Sequence, residues 1–118
     1  MEFSRVDRLQ SQIIKEISLI VSDELKDSPP AMITFLRAEV SKDLKYAKIF
    51  YSVLGEQSKI DECLIFLKRH NGAIRRLVGQ RMRIRHLPEI TFHYDSSMEN
   101  VFRISEILDK LKEDEKSE

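Results

Sequence analysis

Lysine and arginine are concentrated in one stretch of this sequence, residues 68 to 89, which reads KRHNGAIRRLVGQRMRIRHLPE. The stretch holds seven basic residues and no acidic residue before Glu89, although the whole chain balances 20 basic against 20 acidic residues. Guanidinium and ammonium groups form charge-assisted hydrogen bonds with phosphate, and arginine can form two at once. Because solvated protein surfaces usually mix both signs of charge, the stretch predicts contact with the backbone of a nucleic acid.

The two glycines of this stretch, Gly72 and Gly79, mark the ends of a predicted short helix. A glycine beside the basic residues lets a phosphate or sugar approach the main chain closely, and a helix that begins there presents free N–H groups. Arg75 and Arg76 lie off the apolar positions of this helix, so we expect them to face solvent. The residues expected to bind RNA are Lys68, Arg69, His70, Asn71, Gly72, Arg75, Arg76, Arg81, Arg83 and Arg85, with Lys42 and Lys45 extending the surface.

Other kinds of chemistry find little support in the sequence. There is no phosphate-binding loop, no G-x-S-x-G nucleophile motif and no H-E-x-x-H zinc motif. His86 and His93 have no cysteine or carboxylate at the spacing of metal ligands. The single cysteine, Cys63, cannot form an internal disulfide and is expected to be buried and inert on an apolar helix face. We therefore expect no enzyme, no metal or other cofactor, and no small-molecule substrate.

The first half of the chain predicts a helix and a β-hairpin. Apolar residues recur at helical spacing from about Arg5 to Lys26, after a capping motif formed by Ser4 and Asp7, and the Pro-Pro of DSPP ends the helix. The segments MITFLRAEV and YAKIFYSVL have the composition of strands. Because only the turn SKDL separates them, they are predicted to pair as a hairpin.

The second half predicts two central helices, a third strand and a last helix. Ser58 is expected to cap the first of the two helices, Asn71-Gly72 to separate them, and Gly79 to end the second. MRIRHLPEITFHY is predicted to form one strand, in which Arg83 and Arg85 share a face and Pro88 marks an edge or bulge. SSMENVFRISEILDKL, with Ser96 and Glu99 as a capping box, predicts the last helix. The aromatic residues Phe35, Phe50, Phe92 and Tyr94 are expected in the sheet core.

These elements predict an α+β fold in the order α-β-β-α-α-β-α. The third strand reaches the sheet through a crossover, so it should lie parallel to one hairpin strand in a mixed three-stranded sheet with the helices on one face. Length and composition predict one domain over residues 1–112, followed by a disordered acidic tail over 113–118. The longest apolar run is five residues and the N-terminus has no apolar leader, so a cytoplasmic protein without a membrane span is expected.

The order helix–strand–strand–helix–helix–strand resembles that of a type II KH domain, an RNA-binding module. Two segments sharpen the likeness: VSKDLKYAKIFYSVL, and NGAIRRLVGQRMRIRHLPEITFHYD. Together they resemble the ribosome-binding factor A family of bacterial small-subunit maturation factors, and the likeness extends from RVDRLQSQIIKEI to MENVFRISEIL. In that family an Ala-X-Gly kink replaces the GXXG loop of other KH domains. His70, Asn71 and Gly72 occupy that position here, so His70 departs from the family alanine whereas Gly72 matches.

The resemblance implies a non-enzymatic assembly factor that acts as a monomer. It would bind 16S rRNA within the immature 30S subunit, aid rRNA processing and late maturation, leave before translation, and support growth in the cold. Two alternatives stay open on the residues alone. One is a protein-interaction adaptor that uses the acidic tail or the long first helix without touching RNA, and the other is a nuclease-type enzyme.

Overall fold

The computed structural model describes residues 4 to 97 and 107 to 111. The described elements are α1 (Arg5–Leu19), a π-helical turn (Ile20–Glu24), β1 (Met32–Val40), β2 (Tyr46–Leu54), α2 (Gln57–Met82) and β3 (Glu89–Tyr94). Residues 107 to 111 are also helical, whereas most of the predicted last helix and the whole acidic tail lie outside the described residues. The predicted fold class, an α+β fold with a three-stranded mixed sheet, is confirmed.

Helix α1 begins at the predicted capping box. The Ser4 hydroxyl accepts the N–H of Asp7, and the Asp7 carboxylate accepts the N–H of Ser4, both at 3.1 Å. Its buried face carries Ile13 and Ile17. The α-helix was predicted to reach Lys26, but it ends at Leu19 and gives way to the π-helical turn, which buries two further apolar residues at its start.

The hairpin forms as predicted, with β1 and β2 antiparallel and their turn organised by Ser41. The Ser41 hydroxyl donates to the Asp43 carboxylate at 2.6 Å and accepts the backbone N–H of Tyr46 at 3.0 Å. Leu44 adopts a left-handed conformation with φ of 60°. A bulge between Phe35 and Arg37 shifts the register, so that β1 continues beyond it with Ala38 and Val40 facing the core.

Strand β2 lies in the middle of the sheet, and β3 pairs with it in parallel, as the crossover predicted. The core lies between the helices and one sheet face, where Ala47, Ile49 and Tyr51 of β2 meet the apolar stripes of α1 and α2. The opposite face carries the alternate residues of all three strands, and we call it the open face of the sheet.

The two central helices predicted from Asn71-Gly72 are one continuous helix, α2, so the predicted break is wrong. Cys63, Leu67, Ile74 and Val78 are all fully buried along it. Their spacing carries one apolar stripe across the glycine, and burial of that stripe outweighs the roughly 1 kcal/mol cost of a glycine inside a helix. The helix begins with Glu56 as the N-cap rather than with Ser58.

The third strand is shorter than predicted. Helix α2 runs past Gly79 to Met82, and Arg83 ends it in a left-handed conformation with φ of 53°. Strand β3 starts only at Glu89, immediately after the buried Pro88. The prediction that Arg83 and Arg85 share a strand face is therefore wrong, because both lie in the connection between α2 and β3.

Candidate nucleic-acid interface

The outward side of α2 carries the central part of the basic stretch. Lys68, Arg69, Gly72 and Arg76 are all exposed there, and we call this set the α2 ridge. Residues spaced by three, four and seven positions lie on one side of a helix, so Gly72 lies between Arg69 and Arg76. Within the described part of the chain, no side chain of the ridge forms an ion pair or a hydrogen bond. Their charges are thus available to an external partner.

Gly72 has no structural role inside this fold that the geometry reveals. A methyl group added at its Cα would meet no atom within 4 Å, and its backbone is not left-handed. Glycine nevertheless destabilises a helix interior by roughly 0.5–1 kcal/mol relative to alanine. The lack of a side chain leaves the helix backbone open at the middle of the ridge.

Two other predicted RNA-binding residues are used to hold β3 against α2. The Asn71 amide nitrogen donates to the Ile90 carbonyl at 3.0 Å. The Arg75 guanidinium donates to the carbonyls of Leu87 at 3.0 Å and Pro88 at 3.4 Å. Both side chains bridge the groove between α2 and β3, so they position the strand and line the groove rather than stand free.

Arg81 points to a different side of α2 from Arg75, toward α1 instead of β3. Its guanidinium donates to the Glu16 carboxylate of α1 at 3.0 Å and also contacts the carboxylate of Glu24 in the π-helical turn. The extra residue that a π-helical turn takes up changes where the following side chains point, and Glu24 is the last residue of that turn. Arg81 therefore ties three helical segments together. It was predicted to bind RNA alongside the other basic residues, but it lies apart from the α2 ridge.

His70 is also turned away from the ridge. Its ring packs against Phe66 with 4.5 Å between centroids, and the side chain is 15% exposed. Its Nε2 lies 3.3 Å from the Asp27 carboxylate, but among the described residues it has no hydrogen-bond partner. The histidine thus fills space between α2 and the segment after the π-helical turn, so its side chain lies apart from the exposed ridge, and its predicted role in binding RNA stays a prediction.

A second group of predicted residues gathers at one end of the sheet. The hairpin turn carries Lys42 and Lys45, and the connection from α2 to β3 carries Arg83 and Arg85, all four exposed. The two segments meet where the Glu89 N–H donates to the Lys45 carbonyl at 2.8 Å. We call these four residues the sheet-end patch. It adjoins the C-terminal end of α2, so ridge and patch follow one another along the molecule.

The open face of the sheet carries a row of side chains that the sequence did not reveal. Arg37, Phe50 and His93 are neighbours across the three strands. The Arg37 guanidinium lies 4.0 Å from the centroid of the Phe50 ring, and the rings of Phe50 and His93 are 5.5 Å apart. Phe50 was predicted in the core, and that prediction is wrong; Phe35, Phe92 and Tyr94 do pack with the core as predicted.

Cys63 is fully buried, as predicted, and this burial raises the pKa of its thiol. Among residues 4–97 and 107–111, no three histidine, cysteine or acidic side chains come together as a metal site would require. The same residues contain no helix that is both long and apolar enough to cross a membrane.

The sheet order, the parallel crossover and the glycine inside a basic helix define a small KH-like α+β domain. The family model for ribosome-binding factor A matches residues 5–108. The chain is also 42% identical over 118 residues to the ribosome-binding factor A of Halothermothrix orenii, a match that covers 100% of this chain and 97% of the relative. The chain therefore belongs to the ribosome-binding factor A family.

Solved structures agree on the fold. The crystal structure of ribosome-binding factor A from Thermus thermophilus is similar with a TM-score of 0.67 at 20% identity, covering 77% of this chain and 97% of that one. A homology model of the Thermus thermophilus factor, fitted into a cryo-EM map of its complex with the 30S subunit, is similar with a TM-score of 0.61 at 20% identity, covering 74% and 91%.

Proposed function

We propose that this chain is an assembly factor that binds the immature 30S ribosomal subunit through its 16S rRNA. It aids rRNA processing and late maturation of the subunit, acts in the cytoplasm as a monomer, and performs no catalysis. Family membership supports the ribosome as the partner, and the Thermus protein that shares the fold has been fitted into a map of a 30S complex.

The observation that carries the proposal is the α2 ridge. Gly72 is open to solvent with no atom within 4 Å of an added methyl group, and the free guanidinium groups of Arg69 and Arg76 lie on either side of it. A sugar–phosphate backbone fits this arrangement, because it can touch the helix main chain at the glycine while the two arginines neutralise phosphates on both sides.

The sheet-end patch lengthens this contact. Arg69 and Arg83 are separated by 14 residues of helix, which is about 21 Å, so ridge and patch together follow several phosphates. Contacts of this kind fix position without reading base sequence. The protein would therefore recognise the shape of folded rRNA. By binding one conformation of that rRNA more tightly than others, it would shift the population toward that conformation.

The number of basic side chains that contact phosphates sets how steeply the binding constant falls with salt, which can be measured. If about five basic side chains neutralise phosphates, the slope of log K against log salt should be roughly −3.5 to −4.5. A fourfold rise in salt would then weaken binding by about 10² to 10³-fold. Salt dependence of this size separates the proposal from a protein adaptor that does not touch RNA.

The test is co-sedimentation with 30S subunits purified from growing cells. The double variant Arg69→Glu, Arg76→Glu should lose the association at a salt concentration where the wild-type protein sediments with the subunit. The matched control is Arg8→Glu, Lys15→Glu, which reverses two exposed charges at the same seven-residue spacing on α1. Association that survives the ridge variant and ignores salt would favour the adaptor instead, and cleavage of labelled RNA in the same samples would favour a nuclease.

A further inference from the structure

An exposed aromatic ring lies beside the cations of the sheet-end patch. Tyr46 is the first residue of β2, lies on the open face of the sheet and is 56% exposed. Its side chain forms no hydrogen bond, ion pair or ring contact with any residue that the structure describes. Lys45 precedes it in the chain, and Lys48 is the next residue of β2 on the same face; both are exposed. Surfaces that bind unpaired nucleotides combine a free ring with cations in this way, because the base stacks while the phosphate is neutralised.

The next aromatic residue on this face, Phe50, already has a partner within the fold. The Arg37 guanidinium lies 4.0 Å from the centroid of its ring. Arg37 is held there by Asp95, whose carboxylate accepts hydrogen bonds from Arg37 and from the N–H of Ser97, both at 2.8 Å. The hydrogen bonds from Ser97, followed by the one from Arg37, lower the pKa of Asp95 to about 2. Of these two rings on the face, only the one of Tyr46 is thus left for an external partner.

The backbone holds the sheet-end patch in a costly conformation. Among the described residues, two that are not glycine have a positive φ: Leu44 in the hairpin turn, at 60°, and Arg83 at the end of α2, at 53°. Bulky residues rarely adopt this left-handed conformation, because the Cβ atom crowds the backbone. The two residues lie in the two segments that form the patch. Strained backbone of this kind gathers at sites that bind ligands, where it fixes a geometry before the ligand arrives.

The acidic residues near Tyr46 are compatible with a base at this position. The Asp43 carboxylate is used inside the turn, where it accepts the Ser41 hydroxyl at 2.6 Å and the Lys45 N–H at 3.1 Å. Glu89 is exposed and is the neighbour of Tyr46 on β3. A carboxylate repels phosphate, but it accepts hydrogen bonds from the N–H groups of bases. Glu89 therefore favours a base over a phosphate beside the ring of Tyr46, while the cations of the patch attract the phosphates.

We propose that Tyr46 stacks on an unpaired base of the 16S rRNA while the sheet-end patch contacts the adjoining phosphates. This inference rests on the proposed function, since it assigns one part of the rRNA contact to a single side chain. Every base has a flat face that can stack on an aromatic ring, so the contact distinguishes unpaired from paired RNA. Within a duplex the bases stack on one another and expose only their edges. The α2 ridge follows the backbone, and Tyr46 restricts this end of the contact to a place where a base is free.

Filter binding to two RNA duplexes tests the stacking, one fully paired and one with the same sequence and a bulge of unpaired adenines. Tyr46→Leu keeps an apolar side chain but removes the ring, so its Kd for the bulged duplex should rise by about 5- to 150-fold. Tyr46→Phe keeps the ring and should bind like the wild type. No charge changes in either variant, so the slope of log K against log salt should stay the same. The paired duplex should bind all three proteins equally.

A tryptophan at the same position reports the stacking directly. The chain contains no tryptophan, so Tyr46→Trp gives a single emission signal. A base that stacks on the indole ring quenches this emission, and we expect quenching by the bulged duplex and not by the paired one. Leu54→Trp is the matched control, because Leu54 is 65% exposed on the same face of β2, about 26 Å away. Its emission should stay constant with both duplexes.

The outcomes separate this inference from the proposed function. Equal affinity of Tyr46→Leu and the wild type for the bulged duplex overturns the stacking, as does unchanged emission of Tyr46→Trp when it is bound. Quenching that is equal with both duplexes overturns it too. In each of these cases the proposed function stands if the wild type still sediments with 30S subunits in a salt-dependent way. A wild-type protein that binds neither the duplexes nor the subunits overturns the proposed function, and this inference with it.

Discussion

Replacing Gly72 by alanine separates the stability of α2 from its contact with RNA. The added methyl group meets no atom within 4 Å, so the folded chain accommodates it without strain. Alanine inside a helix is favoured over glycine by about 1 kcal/mol. The free energy of unfolding should therefore rise by about that amount, which corresponds to a rise of roughly 4 °C in Tm for a chain of this size.

The same methyl group should weaken binding. If a phosphate or sugar contacts the main chain at Gly72, the methyl group must displace it, and overpacking of a close contact costs about 1–3 kcal/mol. Since 1.4 kcal/mol is a factor of ten, the Kd for 30S subunits should rise by about 5- to 150-fold. A more stable protein that binds less well is the expected outcome.

Thermal unfolding and quantitative co-sedimentation at constant salt provide the two measurements. Gly79→Ala is the matched control, because Gly79 lies in the same helix and an added methyl group would meet only Leu87, at an ordinary 3.7 Å. Gly79→Ala should stabilise the fold and bind like the wild type. A Gly72→Ala protein that gains stability and keeps its affinity would refute the idea that the partner approaches the main chain there.

Three further predictions concern the charged side chains. Arg81→Ala should lower the free energy of unfolding by about 1–2 kcal/mol in urea denaturation, because Glu16 loses its partner, yet leave 30S binding at the wild-type salt slope. Removing two phosphate contacts with Arg69→Ala, Arg76→Ala should make the log–log salt slope less steep by about 1.4–1.8, as measured by filter binding of rRNA fragments. Asp95→Asn should be less stable than the wild type above about pH 4, the ordinary pKa of the group. This difference should vanish as the pH falls toward the folded-state pKa of about 2, which thermal unfolding along a pH series would show.

Sequence patterns predicted the pairing of the strands correctly, because the connections between the strands restrict how they can pair. The short turn at Ser41 dictated the hairpin, and the crossover to β3 dictated a parallel pair beside β2. The basic stretch likewise predicted an arginine-bearing helix beside an open glycine, although that glycine was predicted at a junction of two helices and lies inside α2. In the structure, the α2 ridge and the sheet-end patch are the exposed parts of this predicted surface.

The wrong predictions arise where tertiary contacts, which local sequence patterns do not reveal, determine the structure. Asn71-Gly72 is a turn signal in isolation, but burial of Leu67 and Ile74 on either side keeps the helix continuous. Arg81 and Arg76 lie in the same basic stretch, so the sequence alone does not distinguish their roles. Only the packing of α1 against α2 gives Arg81 a carboxylate partner. In β2 apolar and aromatic residues occupy both faces, so alternation could not assign Phe50 to the open face.

The side chains that span the groove also occupy carbonyl groups at the outer edge of the sheet. β3 is an outer strand, and unpaired carbonyls on such a strand invite strand addition from another chain and then aggregation. Asn71 occupies the carbonyl of Ile90, and Arg75 occupies those of Leu87 and Pro88 just before the strand. Two residues that were predicted to bind RNA thus leave fewer free carbonyls at this edge of the sheet for strand addition.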